Sequence, residues 1–350
     1  MVSTEYIRWF SDIGLADRPQ VGGKGGSLGE LQRANIAVPP GFVVSTQAFS
    51  YCLDELERQS PIRTQVEALD ADDLEAITAC SQALRARVEE VALPPQLLEE
   101  LLSAHAALAT AGVTPAVAVR SSATTEDAAD ASFAGLQDTY LWVRGADETV
   151  RMVRNCWASL YSVESMSYRR RRGIPESQVA MAVVVQTMVD ARCAGVMFTR
   201  SPTSGDRSVI TIEGAWGLGS AVVGGEVTPD RWVIGKITGE ISVRDISDKA
   251  IRHVPLEAGG IVEEPVAEDL RRTQCMSDQD LQALRAIARR VEKHYGHAQD
   301  IEWAVDRYSG DILLLQSRPE TVWSVKDQVP VARPVENPLA HVMSIFGGRK

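Results

Sequence analysis

The order in which helix-like and strand-like patterns succeed one another constrains this chain more than any single motif. Between residues 47 and 110, "AFSYCLDELERQ", "DDLEAITACSQALRARVEEV" and "PQLLEELLSAHAALATA" place apolar residues three and four apart with charges between them, the spacing of helices that bury one side. Asp73 and Pro95 stand where helix starts are expected. Strand-like "AVAVRSS" and "TYLWVRG" then bracket a polar, small-residue segment from Ser121 to Gly135, and "DETVRMVRNCWASLYSVESMSYRRRRG" reads as helix up to Gly173. Beyond it, "QVAMAVVVQTMV" and "CAGVMFTR" read as a buried strand and its antiparallel partner joined near Asp190, and "SVITIEGAWG" and "DRWVIG" as two more strands. "SDQDLQALRAIARRVEKHYG" reads as an amphipathic helix capped by Ser277. "QDIEWAVD" and "DILLLQSRP" form a hairpin around "RYSG". Strands that follow strands exclude a doubly wound βαβ array. The expected class is α+β, with two lobes and mainly antiparallel sheets. The expected division is a first lobe over residues 1–190 with a helical insert at about 47–110, and a second lobe over 191–323. Residues 324–350, punctuated by Pro330, Pro334 and Pro338, read as a linker-like tail.

Composition narrows the partners. The 350 residues are 45% hydrophobic, enough for a sizeable core, and the net charge of -11 argues against a nucleic-acid surface, which needs clustered Lys and Arg. The basic run Arg169 to Arg172 closes a helix, where cations complement exposed carbonyls. The five cysteines are scattered, with no C-x-x-C pair, as expected of a reducing compartment. No secretory leader and no stretch near the ~20 apolar residues of a membrane span is visible, so the expectation is a cytoplasmic protein with no membrane partner.

Three segments can do chemistry. "VGGKGGS" sets Lys24 among four glycines, where backbone N–H groups and an ammonium can meet a phosphate; it equally fits a surface turn with a solvated lysine. It is not a P-loop, because Gly25 follows Lys24, and it is not a dinucleotide fingerprint, because Leu28 stands where the third glycine belongs. In "AVRSSATTEDAADASFAGLQDT", Arg120 leaves a strand into a small-residue run around Phe133 and Gly135, which fits either a lid over a polyphosphate or an ordinary solvated connection. In the C-terminal hairpin, Gln316 and Arg318 share a face, as do Asp300 and Glu302. A carboxylate with an amide oxygen suits Mg²⁺ and Arg318 suits a transferring phosphate; the same residues also fit a cross-strand ion pair on a solvated sheet.

Together the strings "VGGKGGSLGEL", "VPPGF", "AVRSSATTEDAADASFAGLQDTYL", "VVVQTMV", "AGVMFT", "EGAWGLG", "VTPD", "EKHYG", "DIEWA" and "LLQSRPETV" closely resemble the ATP-binding domain of the phosphoenolpyruvate synthase and pyruvate phosphate dikinase family, over residues 21 to 322. The resemblance implies an ATP-grasp fold with ATP between two lobes. It implies Lys24 and Arg120 on phosphates, Gly135 and Thr139 in or beside the lid, and Gln186 and Met188 at the adenine. It further implies Glu302 and Gln316 on Mg²⁺ (or Mn²⁺), Arg318 on the reacting phosphates, and Glu213 as a weaker candidate for the same cleft. Family chemistry moves the β-phosphate of ATP to a histidine on a swivelling domain, with AMP and phosphate as products. None of His105, His253, His294, His297 and His341 stands in the family's T-x-H-x-x-G-like string. The implied partner is therefore a separate phosphohistidine-bearing subunit, as in phenylphosphate synthase, whose acceptor is phenol. The ATP-binding part of a split or truncated phosphoenolpyruvate synthase, with pyruvate as acceptor, or of a rifampicin phosphotransferase, and a non-catalytic nucleotide-sensing subunit are the other readings.

Overall fold

The computed structural model describes residues 6–124 and 138–323. Two antiparallel sheets organise the chain. The first comprises β1 (Ile7–Trp9), β2 (Gly41–Val44), β3 (Val117–Ala123), β4 (Thr139–Val143) and β5 (Met181–Thr187), in the order β1-β2-β5-β3-β4. Its centre, β5, is apolar at nearly every position because both faces are covered. The two-residue period of the strand divides the covering. Met181, Val183 and Val185 face one core, while Ala182 and Val184 face another.

Helices build both coverings. On the first face lie α2 (Thr46–Gln59), α3 (Ile62–Glu67), α4 (Leu74–Glu89), α5 (Pro95–Ala107), α6 (Ala146–Ser159) and α7 (Val163–Arg172). The predicted caps are in place: Asp73 accepts from Ala76 N at 2.9 Å, and Pro95 opens α5. On the second face lies α1 (Arg18–Arg33), with Val21 and Leu28 against Val43 and Val184.

The second sheet comprises β6 (Ala191–Phe198), β7 (Val209–Trp216), β8 (Asp230–Gly235), β9 (Ile241–Asp245), β12 (Gln299–Asp306) and β13 (Ile312–Pro319), in the order β13-β12-β6-β7-β8-β9. Between β7 and β8 is a short helix, α8 (Ser220–Val223). A separate hairpin, β10 (Ile251–Pro255) with β11 (Ile261–Pro265), and a one-turn helix, α9 (Glu268–Arg271), follow β9. The long α10 (Asp278–Tyr295) covers the sheet with Leu281, Leu284, Ala288 and Val291, set against Trp232 and Trp303. Ser277 and Asp280 close its first turn as a capping box, and Gly296 ends it in the left-handed conformation. Helix α1 also reaches this sheet: Ser27 Oγ donates to Ser317 O at 2.5 Å, and Leu31 joins the second core.

Three sequence expectations change. The glycine-rich segment is not a turn but the body of α1, interrupted only at Gly22; close packing against β3 and β2 outweighs the poor helix propensity of glycine. Strands β5 and β6 are not partners: β5 pairs with β2 and β3, β6 with β12 and β7, and Met188–Asp190 crosses from one sheet to the other. Arg169 does not serve an exposed helix end. It is wholly buried, and its guanidinium donates to both Glu176 oxygens (2.9 and 3.2 Å) and to Leu160 O (2.6 Å). No helix among the described residues is long and apolar enough to cross a membrane.

Candidate functional site

The first wall of the site is set by a backbone-to-backbone contact. Gly22 has φ 69° and ψ 179°, and a Cβ there would lie 2.1 Å from the Ser122 carbonyl oxygen. Only glycine adopts that conformation without strain and without a clash. The contact lets Ser122 Oγ donate to Val21 O at 2.9 Å and accept from Gly25 N at 3.2 Å. Lys24, two residues on, is thereby turned toward β3, where its Nζ donates to Ser121 O at 2.9 Å.

Arg120 joins the two sheets. It sits on β3 opposite Thr139 and is 9% exposed. One arm donates to Leu315 O at 3.1 Å; its Nη2 donates to Glu302 Oε2 at 3.0 Å and to Gln316 Oε1 at 2.6 Å. Glu302 and Gln316 are cross-strand partners on β12 and β13, so the register alone brings their side chains to one face. A carboxylate oxygen and an amide oxygen thus converge on a single cationic nitrogen. That donor pair fits Mg²⁺, which takes few protein oxygens and completes its shell with phosphate and water.

Arg318 lies on the same strand, two residues beyond Gln316, with its Nε 3.5 Å from Asp300 Oδ2. Burial pushes the Asp300 carboxyl up from the usual 3.8 to about 6; Arg318 opposes the rise and Glu320 adds to it. Asp300 Oδ1 is buried without a hydrogen-bond partner among the described residues. On the opposite wall, Gln186 is 2% exposed and its Nε2 likewise lacks a partner. Next to it, Met188 packs with Val189, Ala191, Ala194 and Leu218 as an apolar slot. An unsatisfied amide beside an aliphatic slot suits a flat heterocycle with polar edges.

These walls enclose a cavity of about 1050 Å³. Lys24, Arg120, Thr139, Gln186, Met188, Glu302, Gln316 and Arg318 all line it. Glu213 does not. It lies opposite Val196, which is itself opposite Glu302, so it shares the sheet face but stands two strands away. Gly135 and the rest of the expected lid, Ser132 to Gly135, fall outside the described residues.

Sequence reasoning missed part of the rim. The Gly259–Gly260 turn of the β10–β11 hairpin reaches the first sheet, where Gly260 N donates to Trp142 O at 3.0 Å. Trp142 holds φ 56°, uncommon outside glycine, at a register shift between β3 and β4. Ser220, Glu226 and His253 also line the cavity. Nothing in their spacing announces this, because β10 and α8 meet only in the folded chain.

The comparisons with known proteins agree with one another. Residues 18–337 match the family described as pyruvate phosphate dikinase, AMP/ATP-binding domain. A probable phosphoenolpyruvate synthase of Staphylothermus marinus is 38% identical over 92% of this chain and 42% of its own length. One of Methanocaldococcus jannaschii is 40% identical over 91% of this chain and 27% of its own length. The phosphoenolpyruvate synthase of Aeropyrum pernix is 40% identical over 94% of this chain and 44% of its own length. The chain therefore spans less than half the length of these relatives. By the extent of the match, nearly all of it, this chain belongs to the pyruvate phosphate dikinase AMP/ATP-binding domain family.

Proposed function

We propose that this chain binds MgATP in an ATP-grasp cleft, between lobes of residues 1–190 and 191–323, and activates it for a phosphoenolpyruvate synthase-type phosphoryl transfer. The observation that supports this most is that Lys24, Arg120, Glu302, Gln316 and Arg318, drawn from three strands and a helix, line one cavity. In this reading Gln186 and Met188 take the adenine, and Thr139 and Gly135 belong to or flank the phosphate lid. Lys24 and Arg120 neutralise phosphate oxygens, and Arg318 meets the charge that develops on the transferring group. Glu302 and Gln316 hold Mg²⁺, which when bound supplies charge neutralisation between phosphates. Because Arg120 already holds both proposed ligands, binding has to loosen that contact, and its guanidinium is then free to turn to the triphosphate.

The reaction consumes ATP and water and yields AMP, phosphate and a phosphohistidine, which then phosphorylates an acceptor; the named relatives favour pyruvate over phenol. The accepting histidine belongs to another domain or subunit. His105, His294 and His297 do not line the cavity, and His253, which does, is engaged by Ser220 and Glu226.

The test is calorimetric MgATP binding, followed by AMP formation with the phosphohistidine domain of a phosphoenolpyruvate synthase supplied in trans. Glu302→Gln and Lys24→Ala should each cut AMP formation by about 10²-fold with the melting curve intact, since Lys24 would meet developing charge directly and Glu302 would hold the metal that does. Glu302→Gln should leave metal-free nucleotide affinity within about threefold, because its role there is through the metal. Unchanged AMP formation in both variants would remove the assignment, and AMP formation by the chain alone would remove the acceptor in trans.

A further inference from the structure

At the rim of the cavity, three elements bring an imidazole and two carboxylates to one point. His253 on β10 and Glu263 on β11 are cross-strand partners and therefore share a face of the hairpin. Glu226 follows α8, in a turn closed by Glu226 N and Val227 N donating to Ala221 O at 3.0 and 3.3 Å. One ligand atom from each of the three residues lies within 4.8 Å of both others.

The imidazole is prepared as a ligand would be. His253 is 8% exposed, and its Nδ1 is held 2.8 Å from Ser220 Oγ, which fixes the ring and leaves Nε2 for the other side. Metal-bound histidines are commonly oriented by such a contact at the second ring nitrogen. Nε2 lies 3.3 Å from Glu226 Oε2. Two ligands on a tetrahedral ion with bonds of about 2.0–2.2 Å stand roughly 3.3–3.5 Å apart, so this edge needs no adjustment. Rotation of the exposed glutamates closes the longer separations. A simple His–Glu pair accounts for Glu226 but not for Glu263. Its neighbour Glu264 is paired with Arg252 at 3.2 Å, whereas Glu263 has no ion-pair partner among the described residues. Two carboxylates around one imidazole leave excess negative charge, which a divalent cation neutralises.

We propose that His253, Glu226 and Glu263 form a divalent transition-metal site at the cavity rim, apart from the Glu302–Gln316 pair and suited to Zn²⁺ or Mn²⁺. Imidazole disfavours Ca²⁺ and Mg²⁺, and the two carboxylates admit Mn²⁺ as well as Zn²⁺. The ion would tie the α8 turn to the β10–β11 hairpin, whose glycine turn touches Trp142 across the cavity mouth. It would thus fix the rim under which the nucleotide enters.

Chelator-stripped protein is titrated with Zn²⁺ by calorimetry, for the parent, His253→Gln, Glu263→Gln, Ser220→Ala, Glu302→Gln and His294→Gln. The last is a control, because His294 meets a single carboxylate, Glu30, at 2.6 Å. The parent, Glu302→Gln and His294→Gln should bind one Zn²⁺ per chain. His253→Gln and Glu263→Gln should bind at least about tenfold more weakly, and Ser220→Ala about tenfold more weakly through loss of the orienting contact. Glu263 is exposed, so its variant keeps the test valid should His253→Gln fold poorly. No saturable Zn²⁺ binding in the parent, or parent-like binding in Glu263→Gln, overturns the site. Binding lost in Glu302→Gln but kept in Glu263→Gln would assign the ion to the triphosphate cleft instead.

Discussion

Asp300→Asn should make the protein more stable near neutral pH, although it removes a charge beside Arg318. The carboxyl is largely buried, one of its oxygens has no hydrogen-bond partner among the described residues, and burial raises its pKa from 3.8 to about 6. Below pH 3.8 the folded and unfolded chains both hold the proton, and the group contributes no difference. Between 3.8 and 6 the unfolded chain releases the proton while the folded chain keeps it. The folded chain then binds more protons, and stability falls as pH rises through this window. Above about 6 the loss is complete and constant. At roughly 1.4 kcal/mol per tenfold change in proton affinity, the charged form costs the fold about 3 kcal/mol. The asparagine amide recovers most of this, less roughly 1 kcal/mol for its own imperfectly satisfied dipole. Urea unfolding of parent and variant at pH 4, 5, 6 and 7 tests it: the variant should be less stable by under about 1 kcal/mol at pH 4 and more stable by about 2 kcal/mol at pH 7. A difference independent of pH, or a variant less stable at pH 7, would refute the reasoning.

Two further perturbations probe the scaffold. Gly22→Ala combines a backbone conformation that costs an alanine about 1–3 kcal/mol with a 2.1 Å approach to the Ser122 carbonyl; a denaturant-measured loss of at least about 3 kcal/mol is expected, and a loss under 1 would mean that α1 and β3 do not touch there. Arg169→Ala leaves Glu176 buried and unpaired and should cost about 3–5 kcal/mol by the same measurement, whereas Arg171→Ala, at an exposed neighbour, should stay within about 0.5 kcal/mol. Equal effects of the two arginine variants would contradict the burial of Arg169.

Local patterns determined what local physics controls. The insert helices, the caps at Asp73 and Ser277, the β12–β13 hairpin, and the shared face of Gln316 and Arg318 follow from side-chain period and turn chemistry within a few residues. The family motifs likewise pointed to Lys24, Arg120, Glu302, Gln316 and Arg318, which the fold gathers around one cavity. What stayed hidden depends on partners distant in sequence. An apolar strand such as β5 reads the same beside β6 as between β2 and β3, because ladder hydrogen bonds carry no residue identity; packing of α1 and the insert on its two faces decides. Glycines that locally favour a turn become helix once β3 closes against them. Only the folded chain makes Arg120 the tie between two sheets, buries the Asp300 charge, and sets Glu263 across from His253. Hydrophobic burial and strand register act over tens to hundreds of residues, beyond the reach of any local spacing.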